Sequence, residues 1–224
     1  MPDASKVRSL FDELAPSYDH LNRIFSLGMD VGWRKQLVAA VARQNPTKVL
    51  DLACGSGDVA EMHQKALPRA QVVGLDFSRS LLTQAKERGI AELAEGDALK
   101  LPFADESFDA VTIAFGLRNF SDRTKGLKEI ARVLKKGAVF GLLEFSPPPL
   151  PWKLFWNLYL HHLMPWIAQL LARQGDSFRY LAQSIAEFPT PSAINHELSS
   201  AGLKLLFSRS FSARLVMLTV CVRS

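Results

Sequence analysis

The chain has little cysteine: Cys54 and Cys221 are its only two in 224 residues. Two thiols supply neither a disulfide framework nor a metal-ligand spacing, so a stapled secreted fold is excluded and both read as buried apolar thiols of a reducing compartment. No run of about 18 uninterrupted apolar residues occurs, so no spanning helix is expected. Met1 is not followed by a charged stretch and an apolar stretch, so no signal peptide is expected and a cytoplasmic protein is. The net charge is +5, but no Lys/Arg run accompanies it, which excludes nucleic acid as the expected partner. His161 and His162 stand together without a third His or Cys nearby, so no metal site is expected. Internal repeats and low-complexity tracts are absent.

What is present is organised around Val49-Leu50-Asp51-Leu52-Ala53-Cys54-Gly55-Ser56-Gly57-Asp58. The first half is apolar and β-prone; the second is a glycine turn with an apolar-periodic helix behind it. Strand, Gly-x-Gly turn and helix open a doubly wound α/β sheet, where ligands bind at the carboxyl ends of the strands. Gly55 through Ala60 also satisfies the dinucleotide pattern G-x-G-x-x-G/A. Charge divides the readings. A pyrophosphate wants bare backbone N–H groups at this turn, whereas Asp51 and Asp58 flank it with carboxylates. Those suit a cationic ligand, such as S-adenosylmethionine with its ammonium and sulfonium. Asp58 has a second reading as a first-turn acid favoured by the helix dipole.

The spacing predicts N-terminal helices over Ser5–Leu14, Tyr18–Leu27 and Trp33–Ala42, packed beside the sheet and covering the ligand site. Strands follow at Lys48–Cys54, Gln71–Phe77, Ala91–Glu95, Phe108–Phe115 and Ala138–Phe145. Helices over Asp58–Leu67, Ser80–Arg88 and from Asp122 to Leu134 alternate with them, Ser78 and Asp122 as caps and Lys135-Lys136 at the last helix's C-terminus. This alternation predicts a mostly parallel sheet with helices on both faces. Pro147-Pro148-Pro149 then interrupts it, residues 150–172 are apolar with helical periodicity, and a short helix covers Phe178–Phe188. A helix capped by Ser192 ends at Gly202, and Lys204–Phe211 with Leu215–Arg223 form a hairpin. The expected organisation is one domain of 224 residues: a helical cap over 1–45, a cofactor-binding core over 46–149, a helical substrate insertion over 150–190, and a terminal helix and hairpin over 191–224.

Several residues stand where a nucleotide-like ligand would be gripped. Asp76 ends the second strand, 21 residues after Gly55, where α/β nucleotide binders place an acid on ribose hydroxyls. Asp97-Ala98 ends the third, where an adenine amino group can meet a carboxylate and a backbone N–H. Arg118-Asn119 follows the fourth directly, with a rigid five-donor guanidinium at the ligand-facing edge. Glu144 ends the fifth inside an apolar run, so it needs a partner or the site.

Phe115-Gly116-Leu117-Arg118-Asn119, Leu143-Glu144-Phe145-Ser146-Pro147 and Tyr180-Leu181-Ala182-Gln183-Ser184-Ile185 resemble the UbiE/MenG-type quinone-biosynthesis C-methyltransferases. The resemblance takes in nearly the whole chain, including Tyr18-Asp19, Asn22, Ser26-Leu27-Gly28, Trp33-Arg34-Lys35 and Leu101-Pro102-Phe103-Ala104-Asp105. It implies a class I methyltransferase: a Rossmann-like, doubly wound, seven-stranded sheet with N-terminal helices and a helical insertion after strand 5. It implies S-adenosylmethionine contacts at Ser56, Asp76, Asp97, Ala98 and Ala114, beside Asp51 and the Gly55–Gly57 turn, and a catalytic set of Arg118, Asn119 and Tyr18. Three positions depart from the family's pattern: Ala114 stands for a frequent serine, Arg23 for a frequent acid, and Met29-Asp30-Val31 for a stretch that is often His-Arg.

The implied reaction is C-methylation of a polyprenyl quinol ring, demethylmenaquinol first, with 2-polyprenyl-6-methoxy-benzoquinol as the alternative. A nicotinamide-dependent oxidoreductase, resting on the dinucleotide pattern, and a non-catalytic methyltransferase-like subunit remain as readings from other classes. Trp152, Phe155, Trp156, Tyr159 and Trp166 lie among the apolar residues of the insertion, and residues 150–224 carry seven Lys+Arg against three Asp+Glu. Aromatic anchors and positive charge together predict peripheral contact with the inner membrane face, against a plain lid or a homodimer contact.

Overall fold

In the computed structural model of the chain, residues 12, 23, 24, 26–147, 180 and 183–224 are described. Among them the chain runs α1 (Met29–Ala42), β1 (Lys48–Leu52), α2 (Asp58–Ala66), β2 (Gln71–Asp76), α3 (Arg79–Glu87), β3 (Glu92–Glu95), β4 (Phe108–Ala114), a 3-10 turn (Leu117–Asn119), α4 (Arg123–Val133), β5 (Leu134–Phe145), α5 (Pro191–Ser200), β6 (Leu203–Phe211) and β7 (Val216–Arg223). The expected helices over Ser5–Leu14 and 150–172 lie outside the described residues, apart from Asp12.

The strands form a seven-stranded sheet of order β3-β2-β1-β4-β5-β7-β6. β1 to β5 are parallel, and β7 runs antiparallel to β5 and β6. The order reverses between β1 and β4, and an α/β sheet opens its ligand crevice at such a switch point.

Alternation along the strands assigns the two faces. Leu50 and Leu52 of β1 join Phe108, Phe140, Leu127, Ile130, Ile194 and Leu198 in the core under α4 and α5. Val49 joins Trp33, Leu37, Val38 and Val41 of α1 and Val59 of α2 on the opposite face. Asp51, in phase with Val49, therefore points to the face that α1 and α2 cover.

Several sequence-based boundaries shift. β1 stops at Leu52 because Ala53 is left-handed (φ 55°), and β4 stops at Ala114 because Phe115 is left-handed (φ 61°). Both breaks fall at carboxyl ends of the two central strands, where backbone strain tends to accumulate in ligand sites. Lys135 and Lys136 directly follow the C-cap of α4, Leu134, but already belong to β5. Leu134 already pairs with Phe108, the ladder resumes at Val139, and Lys135 instead binds Asp109 (Nζ to Oδ1, 2.6 Å). Thr190, not Ser192, caps α5, because Pro191 takes the first helical position where its missing N–H costs nothing. α1 begins at Met29, four residues before Trp33.

Candidate active site

The switch point is built from the ends of β1, β2 and β4. Gly57 holds φ 91° and begins α2; a Cβ there would stand 3.0 Å from Ile90 and 3.1 Å from Ala85, so glycine alone fits both the conformation and the packing. The preceding turn is tied to Asp76, whose Oδ2 accepts from the Gly55 backbone N–H at 2.8 Å and whose Oδ1 accepts from the Ser78 N–H at 2.9 Å. Asp76 is 4% exposed, and burial pushes its carboxyl above the usual range against the pull of those backbone donors. The Phe77 backbone N–H adds to that pull.

Asp51 is 1% exposed at the heart of this arrangement. Thr112 on β4, its register partner, donates its hydroxyl to Oδ1 at 2.9 Å; Oδ2 is buried without a hydrogen-bond partner among the described residues. Burial pushes Asp51 up to about 7, opposed first by the Thr112 hydroxyl, then by the Ala60 backbone N–H and then by the Arg34 charge. A buried carboxylate half satisfied in this way is stabilised by a ligand that brings a donor or a positive charge.

Asp58 is engaged by three guanidinium groups. Its Oδ2 accepts from Arg23 at 2.7 Å and its Oδ1 from Arg88 at 2.5 Å, with Arg34 at 3.7 Å. These guanidinium groups hold its carboxyl below the usual range despite burial. The reading of Asp58 as a counter-charge to a cationic ligand is therefore corrected: it is the hub of an ion cluster at the start of α2. Asp30 completes the cluster, 3% exposed and bonded to Arg23, Arg34 and Ser26. Two departures from the expected family pattern, Arg23 and Asp30, thus meet each other.

Arg118 and Asn119 sit on the 3-10 turn just past β4. Gly116 opens that turn against Ala53, where a Cβ would approach the alanine methyl to 2.7 Å. Arg118 is 9% exposed. Its Nη1 donates to the Phe115 carbonyl and, at 2.9 Å, to Glu144 Oε1, and its backbone N–H reaches Glu144 Oε2 at 3.3 Å. The guanidinium lies 5.4 Å from the Phe145 ring centroid, and its Nε is buried with no partner among the described residues. Glu144 thereby has the partner its position demanded. Sequence reasoning missed the intramolecular anchor of Arg118, because 26 residues separate the two.

Tyr180 also reaches this turn, its hydroxyl donating to Asn119 Oδ1 at 3.1 Å. Thr112 and Tyr180 were given no role by sequence reasoning; the signal for Tyr180 was its place in a family-like stretch, and Thr112 had none. Asp97 is exposed at the end of β3, and its Oδ1 accepts from the Leu99 N–H at 2.9 Å. Ala98 is half-buried against the core and Ala114 half-buried at the end of β4. Ser56 is buried in the glycine turn. Tyr18, Asp19, Asn22, His161 and His162 lie outside the described residues. Among the described residues no cluster of His, Cys, Asp and Glu holds a metal geometry. Cys54 and Cys221 are buried and unbridged.

A family model described as the ubiE/COQ5 methyltransferase family matches residues 2–223. The demethylmenaquinone methyltransferase of Thermus thermophilus is 41% identical over 204 residues, covering 88% of this chain and 93% of its own. That of Thermotoga maritima is 42% identical over 207 residues, covering 90% of each. A solved SAM-dependent methyltransferase of Thermotoga maritima superposes with a TM-score of 0.70 at 16% identity, covering 97% of this chain and 99% of that one, a likeness of fold.

Proposed function

The chain belongs to the ubiE/COQ5 methyltransferase family, and we propose that it methylates a ring carbon of a reduced quinone, demethylmenaquinol in first place, with S-adenosylmethionine as methyl donor. The observation that carries the reading is the junction of a half-satisfied buried carboxylate, Asp51, with the Asp76-bound glycine turn and the Arg118-Asn119 turn at one switch point. The demethylmenaquinone methyltransferases at 41% and 42% identity favour the naphthoquinol over the benzoquinol.

When bound, S-adenosylmethionine supplies an electrophilic methyl group on a cationic sulfur. Asp76 would take the ribose hydroxyls, with Asp97 and Ala98 at the adenine. Asp51 balances the positive charge of the amino-acid end, with Gly55, Ser56, Gly57 and Ala114 lining the approach through backbone and small side chains. The quinol must lose a phenolic proton before its ring carbon is nucleophilic. Arg118 stays protonated and cannot accept that proton. It stabilises the phenolate oxygen through the Nε–H side of its fork, the Nη1 side being held by Glu144 and the Phe115 carbonyl. Asn119 and Tyr18 complete the contacts to the quinol oxygens.

The polyprenyl tail of such a substrate belongs to a membrane. The aromatic-rich sequence of residues 152–172 supports an interfacial contact, and a homodimer contact is the competing reading of that segment. Among the described residues no helix is long and apolar enough to cross a membrane. Sedimentation with anionic liposomes that declines as salt rises supports the contact; no binding at low salt removes it.

The test of the reaction uses the purified protein, labelled S-adenosylmethionine and chemically reduced, short-tailed demethylmenaquinol and benzoquinol. Label in the naphthoquinol product is the expected result. Tight binding of a nicotinamide dinucleotide with none of S-adenosylmethionine overturns it.

A further inference from the structure

The 3-10 turn of Leu117–Asn119 offers two hydrogen-bonding side chains, and each is held from outside the turn. Arg118 is held by Glu144 of β5. Asn119 is held by Tyr180, 61 residues further along, where the chain returns after the 148–179 segment. We propose that Tyr180 is a positioning residue that sets the orientation of the Asn119 amide and thereby the donor it presents to the quinol oxygen. The inference rests on the reaction proposed above.

An asparagine amide has an acceptor end and a donor end of almost equal shape, so sterics alone do not choose between its two orientations. The phenol of Tyr180 chooses. It is half-buried, burial holds it in the protonated form, and it stands within reach of the Arg118 charge. A neighbouring guanidinium attracts the lone pairs of the phenol oxygen and leaves its proton directed to Asn119. That proton meets Oδ1 at 3.1 Å. With Oδ1 so engaged, the Nδ2 hydrogens are directed away from Tyr180 and remain available as donors. The turn then carries a pinned cation and a pinned neutral donor side by side, the arrangement needed for developing negative charge on a phenolic oxygen.

The test measures kcat and KM with reduced short-tailed demethylmenaquinol at saturating S-adenosylmethionine, and the cofactor Kd by calorimetry. The proteins compared are the unmodified chain, Tyr180→Phe, Asn119→Ala, Asn119→Asp and Tyr180→Phe/Asn119→Ala. Tyr180→Phe keeps the ring and removes only the hydroxyl. It is expected to lower kcat roughly three- to tenfold, the worth of one neutral hydrogen bond, with cofactor Kd and quinol KM changed by less than about twofold. In the Asn119→Ala background the same substitution is expected to have no further effect. Asn119→Asp keeps an acceptor for Tyr180 but no donor, and is expected to be as slow as Asn119→Ala. An unchanged kcat in Tyr180→Phe overturns the inference, as does an equal loss in both backgrounds or a loss confined to KM. An unmodified protein that methylates no quinol overturns the proposed reaction and this inference together, whereas an active one with an unaffected Tyr180→Phe overturns this inference alone.

Discussion

The hydroxyl of Thr112 donates to Oδ1 of Asp51 at 2.9 Å across the seam of β1 and β4, and Oδ2 of the same carboxyl is buried without a hydrogen-bond partner among the described residues. The seam is the switch point of the sheet, so this half-satisfied acid lies where the fold opens its crevice.

Asp51 is pushed up to about 7 by burial, so below that pH the free protein carries it protonated. A cationic ligand favours the carboxylate. Binding of S-adenosylmethionine should therefore release a proton, and affinity should rise with pH up to about 7 and level off above it. Asp51→Asn should flatten that slope. Calorimetry in buffers of different ionisation enthalpy counts the protons. The ligand-free fold behaves oppositely: the unfolded chain loses the Asp51 proton near pH 3.8 while the fold keeps it up to about 7, so this group's contribution to stability falls as pH rises through that window.

His63 gives the reverse sign. It is fully buried, neither ring nitrogen has a partner among the described residues, and burial lowers it from 6.5 to about 4. The unfolded chain binds the proton first, so the contribution of His63 is intact above pH 6.5 and lost as pH falls towards 4. The loss is on the order of 3 kcal/mol. Denaturant titrations of the unmodified protein and His63→Leu at pH 7 and pH 4.5 should diverge, with the variant the less acid-sensitive. Parallel slopes would place the proton uptake elsewhere.

Arg118→Ala should lower turnover roughly a hundredfold, the scale of a lost oxyanion donor, and leave cofactor affinity nearly unchanged. Arg118→Lys should not restore it, because an ammonium cannot serve Glu144, the Phe115 carbonyl and a substrate oxygen from one planar fork. Glu144→Ala should be costly for folding as well, about 3–5 kcal/mol, since it strands a buried guanidinium. Thermal unfolding and steady-state kinetics separate the two effects. A variant of Arg118 that loses cofactor binding but keeps normal turnover at saturation would make the residue structural.

Asp76→Ala should weaken S-adenosylmethionine binding at least tenfold, a charge-assisted contact being worth about 1.5–3 kcal/mol. It should also lower Tm, because the same carboxylate accepts the backbone N–H groups of Gly55 and Ser78. Calorimetry with unchanged affinity would remove Asp76 from the site.

The strand-glycine-helix entry, the β-α alternation and the hairpin at the end were legible in the sequence, because each is a local matter of apolar period and turn chemistry. The position of Asp76 at the end of the second strand was legible too, though its bond to the Gly55 N–H was not. The ends of β1 and β4 were overextended by sequence reasoning, since nothing in the composition of Ala53 or Phe115 announces a left-handed backbone. The partners of charged groups were not legible either. Asp58 looked available to a ligand until Arg23, Arg34 and Arg88 arrived from three different segments. Arg118 looked unpartnered until β5 brought Glu144 beside it, and Tyr180 meets Asn119 only because the chain returns to the end of β4. Local periodicity acts over a few residues and determines which elements form. Burial and ion pairing act through space, so the tertiary structure alone decided that Asp58 is spent on ion pairs and that Asp51 is left half satisfied.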